Sequence, residues 1–258
     1  MFSKFSVKTA VIVAFVLLIA AGTLVYATHS WGPYHWARTA NPFNLKLGDN
    51  VTTAWDAYLA EASSDWSKST VLDTTVVAGG TTARRCRPTS GRVEVCNYGY
   101  GFNGWLGVAS IWVSGDHIVK GMVKMNDSYF NTSTYNTPAW RRLVMCQEVG
   151  HEFGLDHQDE NFYNPNLGTC MDYASDPDGP PSNEHPNAHD YDQLETIYAH
   201  VDSITTVSQT VFSNGNGNAA DAAEWGRELR KDSKGRTSLY VRDLGNNEKV
   251  FTFILWAD

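Results

Sequence analysis

One run of residues constrains this chain more than anything else in it: Cys146-Gln147-Glu148-Val149-Gly150-His151-Glu152-Phe153-Gly154-Leu155-Asp156-His157. Gln147, Glu148, His151, Gly154 and His157 stand in it with the spacing Q-E-x-x-H-x-x-G-x-x-H. On a helix, residues 147 and 151 are one turn apart and leave from the same face. Glu148 lies beside them. Glycine accepts the left-handed conformation that ends a helix, so Gly154 lets the chain turn sharply and bring His157 back as a third donor. Three protein donors, one open position and a neighbouring carboxylate are what a catalytic zinc with a general base requires. Gly150 inside the same helix costs about 1 kcal/mol against alanine, and a close backbone approach is the expected compensation.

The run resembles the zinc-binding signature of the metzincin metalloproteases, in their matrixin-like form, with Gln147 where the family has its first histidine. Downstream, Gly168-Thr169-Cys170-Met171-Asp172-Tyr173 resembles the Met-turn of that family. The resemblance covers roughly residues 34–202 and implies an α+β fold: a mixed twisted sheet, an active-site helix, the Met-turn and a C-terminal helix. It implies zinc held by Gln147, His151 and His157, Met171 packed beneath the metal, and peptide hydrolysis with Glu148 as general base. Tyr173 would help stabilise the tetrahedral intermediate, and the strand over residues 106–113 would be an edge that pairs with extended substrate. Gln147 would ligate through its neutral amide oxygen, a poorer donor than imidazole, or stand behind the ligands. His185, His189 and His200 are the other histidines that could substitute for it. Calcium is a second candidate ion at the acidic stretches 156–160 and 172–178, against the reading of solvated acidic loops. The rival function is a catalytically weakened or inactive binding protein on the same scaffold, which Gln147 favours and an intact Glu148 and Tyr173 oppose. A third is an adhesion module built on the C-terminal tail.

The remaining elements follow from periodicity and turn chemistry. Val51, Ala54, Trp55, Tyr58, Leu59, Ala62 and Trp66 form one apolar helical stripe, with Asp49 or Asn50 as N-cap. Strand patterns cover residues 71–77, 92–98, 106–113 and 117–125, the last two joined by the hairpin turn Ser114-Gly115-Asp116. Thr137-Pro138 caps the helix that carries Gln147. Residues 158–188 read as loop and residues 189–200 as a last helix. Residues 206–219 have linker composition, and strand-like runs at 238–242 and 250–256 predict a small β-rich appendage over 206–258, separate from a main domain at 28–205.

Residues 1–27 read as a secretory signal: Lys4 and Lys8 precede an apolar stretch, and Val25-Tyr26-Ala27 offers a cleavage site. The alternative is an uncleaved membrane anchor. Export makes the cysteines oxidised, and Cys86, Cys96, Cys146 and Cys170 allow three pairings. The favoured one joins Cys86 to Cys96 across a short loop and Cys146 to Cys170, which the resemblance supports because it ties the metal helix to the Met-turn. A net charge of -8 argues against nucleic acid and against an anionic membrane surface. The expected partner is a protein or peptide substrate, the expected state a secreted monomer. Asn50, Asn126 and Asn131 begin Asn-x-Ser/Thr sequons.

Overall fold

The computed structural model describes residues 28–210 and 224–257. The signal expected over residues 1–27 and much of the linker lie outside the described residues. Strands β1 (His35–Trp36), β2 (Phe43–Asn50), β3 (Leu72–Ala78), β4 (Val93–Tyr98), β5 (Trp105–Ser114), β6 (His117–Asn126), β7 (Arg227–Lys231), β8 (Thr237–Gly245) and β9 (Glu248–Trp256) form one sheet. Its order is β3-β2-β4-β6-β5-β9-β8-β7, with β1 added beside β6. From β3 to β6 the strands are parallel; from β6 to β7 each neighbour is antiparallel. Helices α1 (Asp56–Trp66), α2 (Asp127–Phe130), α3 (Pro138–His151) and α4 (Ala188–Ile197) complete an α+β fold. Among the described residues no helix is long and apolar enough to cross a membrane.

The C-terminal strands do not stand apart as the sequence reading expects. β9 pairs antiparallel with β5 from Trp105↔Trp256 to Ser114↔Glu248, so β7–β9 extend the main sheet. The alternation Val250-Phe251-Thr252-Phe253-Ile254-Leu255 explains why. Phe251, Phe253 and Leu255 join the main core, while Val250 and Ile254 pack on the opposite face. A strand buried on both faces needs a strand partner on each side, and β5 supplies one.

The N-cap of α1 also differs. The helix begins at Asp56 after Trp55, which makes no side-chain cap. Asp49 and Asn50 instead finish β2, where Asn50 donates to Glu94 at 2.7 Å and accepts from the Thr81 amide at 3.1 Å. Their capping groups are engaged elsewhere, Asn50 by Glu94 and the Thr81 amide and Asp49 by the Val51 amide. The hairpin at Gly115, the Thr137 cap and Pro138 fall where the residues place them, and α4 carries a capping box between Asn187 and Asp190.

Two disulfides close the chain, Cys86–Cys96 and Cys146–Cys170. The first lies in a small cluster with Trp112, Val119 and Met122; the second joins α3 to the loop before Met171. Of the sequons, Asn126 is fully buried, its amide donating to the Gly101 carbonyl and its oxygen capping α2 at Ser128, so the folded chain offers no glycan position there.

Candidate active site

Helix α3 lies on β5 and β6 with almost nothing between. A Cβ on Gly107 of β5 would collide with Glu148 and Val144, and one on Gly121 of β6 would collide with Glu152. On its other flank, a Cβ on Gly150 would stand 2.6 Å from Met171 Sδ and 2.7 Å from Trp66 Cζ2. The close approach anticipated for Gly150 is therefore made by Met171 and Trp66, and Met171 packs beneath the helix. Trp66 also donates its indole N–H to the Cys146 carbonyl at 3.1 Å.

The chain leaves α3 through Gly154, whose φ of 98° and approach to the Tyr34 carbonyl exclude a side chain. The turn returns His157 to α3. Nε2 of His151 and Nε2 of His157 face each other at 2.9 Å, both residues buried. Each ring is oriented from behind: Nδ1 of His151 donates to the Leu155 carbonyl at 2.9 Å, and Nδ1 of His157 donates to Glu160 Oε1 at 2.7 Å. With both Nδ1 atoms bound to acceptors, the Nε2 lone pairs converge on one point, the tautomer arrangement of metal-binding histidines. Burial holds His151 well below its ordinary titration range, and the neighbouring His157 adds to the effect.

Gln147 stands one turn before His151. Its Nε2 donates to the Cys170 carbonyl at 2.9 Å, which leaves Oε1 buried without a hydrogen-bond partner. Both carboxylate oxygens of Glu148 are likewise buried and unpartnered, and burial raises its carboxyl well above the usual range. Unsatisfied polar atoms of this kind are costly in a dry interior. Two converging imidazoles, an orphaned amide oxygen and an orphaned carboxylate suit a divalent cation of zinc's preference for nitrogen and oxygen donors.

The cleft beside these residues is filled by β9. Phe253 stacks on His151 with ring centroids 4.1 Å apart, nearly parallel. The Tyr173 hydroxyl, which the resemblance assigns to an intermediate, donates to the backbone carbonyl of Ile254 at 3.1 Å. Its ring lies 4.6 Å from that of His157, and burial, with the charge of Glu160, raises its hydroxyl well above the ordinary range. β5 is therefore not the free edge the sequence reading expects; β9 pairs with it along its length.

Arg230 on β7 fastens this arrangement. Its guanidinium nitrogens reach Asp156 at 2.5 Å and Glu160 at 2.8 Å, and Ser238 donates to Glu160 at 2.8 Å. Burial pushes the Glu160 carboxyl up, but the His157 hydrogen bond and the Arg230 charge outweigh it and hold the group below its usual value. In the stretch 156–160, read for calcium, Arg230 is the cation that these two carboxylates meet. The substitute ligands considered for Gln147 lie elsewhere: His185 pairs with Asp65 at 2.7 Å, His189 stacks on His29 at 4.6 Å, and His200 belongs to a separate group near Asp202.

Arg230 and Phe253 escaped the sequence reading, and Glu160 entered it only within the acidic stretch weighed for calcium. Its link to His157 had a faint signal, a carboxylate three residues beyond that histidine. Arg230 and Phe253 had none, because the pairing that brings them here joins segments far apart in the chain. No protein-family model matches this chain, and no curated protein matches it.

Proposed function

We propose that this chain is a metzincin-like, zinc-dependent endopeptidase whose cleft is closed in this form by its own strand β9. The observation that carries the reading is the convergence of His151 and His157 through Nε2, each fixed through Nδ1, beside the unpartnered oxygens of Gln147 and Glu148. His151, His157 and the Gln147 Oε1 would hold the zinc. Zinc, when bound, supplies Lewis acidity, polarising a carbonyl and lowering the pKa of a water to about 7. Glu148 takes the proton of the attacking water and passes it to the leaving amine. Tyr173 transfers its hydrogen bond from the Ile254 carbonyl to the developing oxyanion of a substrate. A substrate strand replaces β9 along β5, using the same backbone pairing. In the closed form burial raises the Glu148 carboxyl; water admitted when β9 leaves lowers it again, towards the carboxylate that a general base must be.

The two disulfides support an oxidising, extracellular setting. The rival reading, a non-catalytic binding protein, is favoured by the closure itself, since Glu148, His151 and Tyr173 are all shut from solvent. Turnover of an unfolded protein substrate decides between them. Phe253→Ala, which removes the ring over His151, should turn over chelator-sensitively and faster than the unaltered protein. Adding Glu148→Gln should leave zinc bound and lower kcat by roughly 10²–10⁴-fold, the usual worth of a general base. Unchanged turnover on adding that substitution, or absence of zinc, overturns the peptidase reading.

A further inference from the structure

Three histidines and a carboxylate meet on the far side of the N-terminal segment from the cleft. His35 lies on β1 and is paired in register with His117 at the start of β6. His200 and Asp202 follow α4. Nε2 of His35 is 3.2 Å from Nε2 of His200 and 3.5 Å from Asp202 Oδ2. Asp202 Oδ1 is 3.3 Å from Nε2 of His117 and 3.7 Å from Nε2 of His200. A tetrahedral zinc with ligands at about 2.0–2.1 Å sets its ligand atoms about 3.3 Å apart. The His35–His200 and His200–Asp202 separations lie near that edge length, and one donor atom from each of His35, His200 and Asp202 falls within 4.8 Å of the other two.

The supporting contacts have the matching chemistry. Nδ1 of His35 donates to the Pro33 carbonyl at 2.8 Å, which leaves Nε2 as its lone-pair atom. The rings of His117 and His200 each stand nearly perpendicular to that of His35, with centroids 5.0 Å and 4.6 Å away. Asp202 is fixed from behind by Arg38, whose backbone amide and Nη1 both donate to Oδ2, at 3.2 Å and 3.1 Å. Oδ1 is left facing His117 and His200. Arg38 is itself held by the carbonyls of Tyr198 and His200.

We propose that His35, His200 and Asp202 form a second metal site, a three-donor site for zinc or a similar nitrogen-preferring divalent ion, independent of the cleft. It joins two segments distant in sequence: the N-terminal segment and the chain after α4. The N-terminal segment also touches the cleft, since the indoles of Trp31 and Trp36 donate to the carbonyls of His151 and Glu152 at 3.2 Å and 2.8 Å. Metal at the far end would hold that segment against the end of α3.

The test uses the full chain carrying His157→Ala, which removes a proposed ligand of the cleft and leaves the second site intact. Zinc is titrated against a competing chelator, and cobalt is substituted for its visible absorption. One equivalent should still bind, cobalt should show the intense bands of tetrahedral coordination, and zinc should raise the Tm. Adding His200→Ala, at a solvent-accessible position, should weaken that binding at least 100-fold and abolish the Tm rise. The same substitution in the otherwise unaltered chain should lower zinc content from two equivalents to one. If the His157→Ala chain binds no zinc, or binds it equally with and without His200, the second site does not exist. A chain that keeps this zinc but lacks peptidase activity would fail the cleft reading alone.

Discussion

Strand β5 has two neighbours of different standing. β6 is joined to it by a tight turn at Gly115, and the pair forms early in the chain. β9 comes from more than a hundred residues later and pairs with β5 on one side and with its own hairpin partner β8 on the other. Both pairings are antiparallel and both bury apolar side chains, yet only β9 lies over the candidate catalytic groups. β6 is therefore scaffold, and β9 is a strand that occupies a groove. The proposed function requires that β9 leave while β5 and β6 stay paired.

Phe253→Ala tests this most severely. Truncating a fully buried phenylalanine costs about 3–5 kcal/mol. Hydrogen exchange should show that loss in the amides of β8 and β9, with the β5–β6 amides nearly as protected as before. Equal loss of protection on both sides of β5 would mean that the sheet opens as one unit.

A second probe is the loop that holds Tyr173 against β9. Burial pushes the Asp172 carboxyl up to about 6, although Leu167 and Asn183 donate to it. An unfolded aspartate titrates near 4, so between about pH 4 and pH 6 the folded chain keeps a proton that the unfolded chain releases. Stability should fall by about 3 kcal/mol as pH rises through that window and then level off. Asp172→Asn should remove the slope in denaturant titrations; a slope that persists assigns it to other groups.

Arg230→Met should have a smaller effect, about 1–2 kcal/mol, because the guanidinium is partly exposed while Asp156 and Glu160 are left nearly buried. It should loosen β7 and β8 without touching the β5–β6 pair, measured as faster proteolysis confined to residues beyond 224. Uniform proteolysis would contradict the view of Arg230 as a local fastening. The smallest effect belongs to Gln147→His. An imidazole is a better donor than an amide oxygen, so zinc in the cleft should withstand chelator at least several-fold better, with no change in β9 protection. Equal zinc retention would place Gln147 behind the ligands.

What was legible in the sequence was local. The helix carrying Gln147, Glu148 and His151, its Thr137 cap, its stop at Gly154 and the hairpin at Gly115 each rest on residues a few positions apart. The fit of Cys146 to Cys170 followed from two recognisable segments that had to meet. The strand runs in the tail were legible as strands, because alternation is a local pattern. Their destination was not, since backbone pairing between remote strands leaves no mark on either one. Asp49 and Asn50 misled for a related reason: a capping residue serves any nearby orphan amide, and here those are Val51 and Thr81. The group around Asp202 has no spacing at all, because His35, His117 and His200 come from three unrelated segments.

The glycines beneath α3 have a consequence of a mechanical kind. Most helices rest on a sheet through interleaved side chains, a cushion that can be repacked by changing rotamers. Here Gly107 and Gly121 remove the cushion where Glu148 and Glu152 descend, so the carboxylates touch main chain. The placement of Glu148 is thereby referred to the sheet's hydrogen-bonded frame, which has no rotamers to change. Substitutions elsewhere in the core can soften the fold without moving this group. One methyl group at position 107 cannot be absorbed the same way, because it must lift the helix or displace the acid.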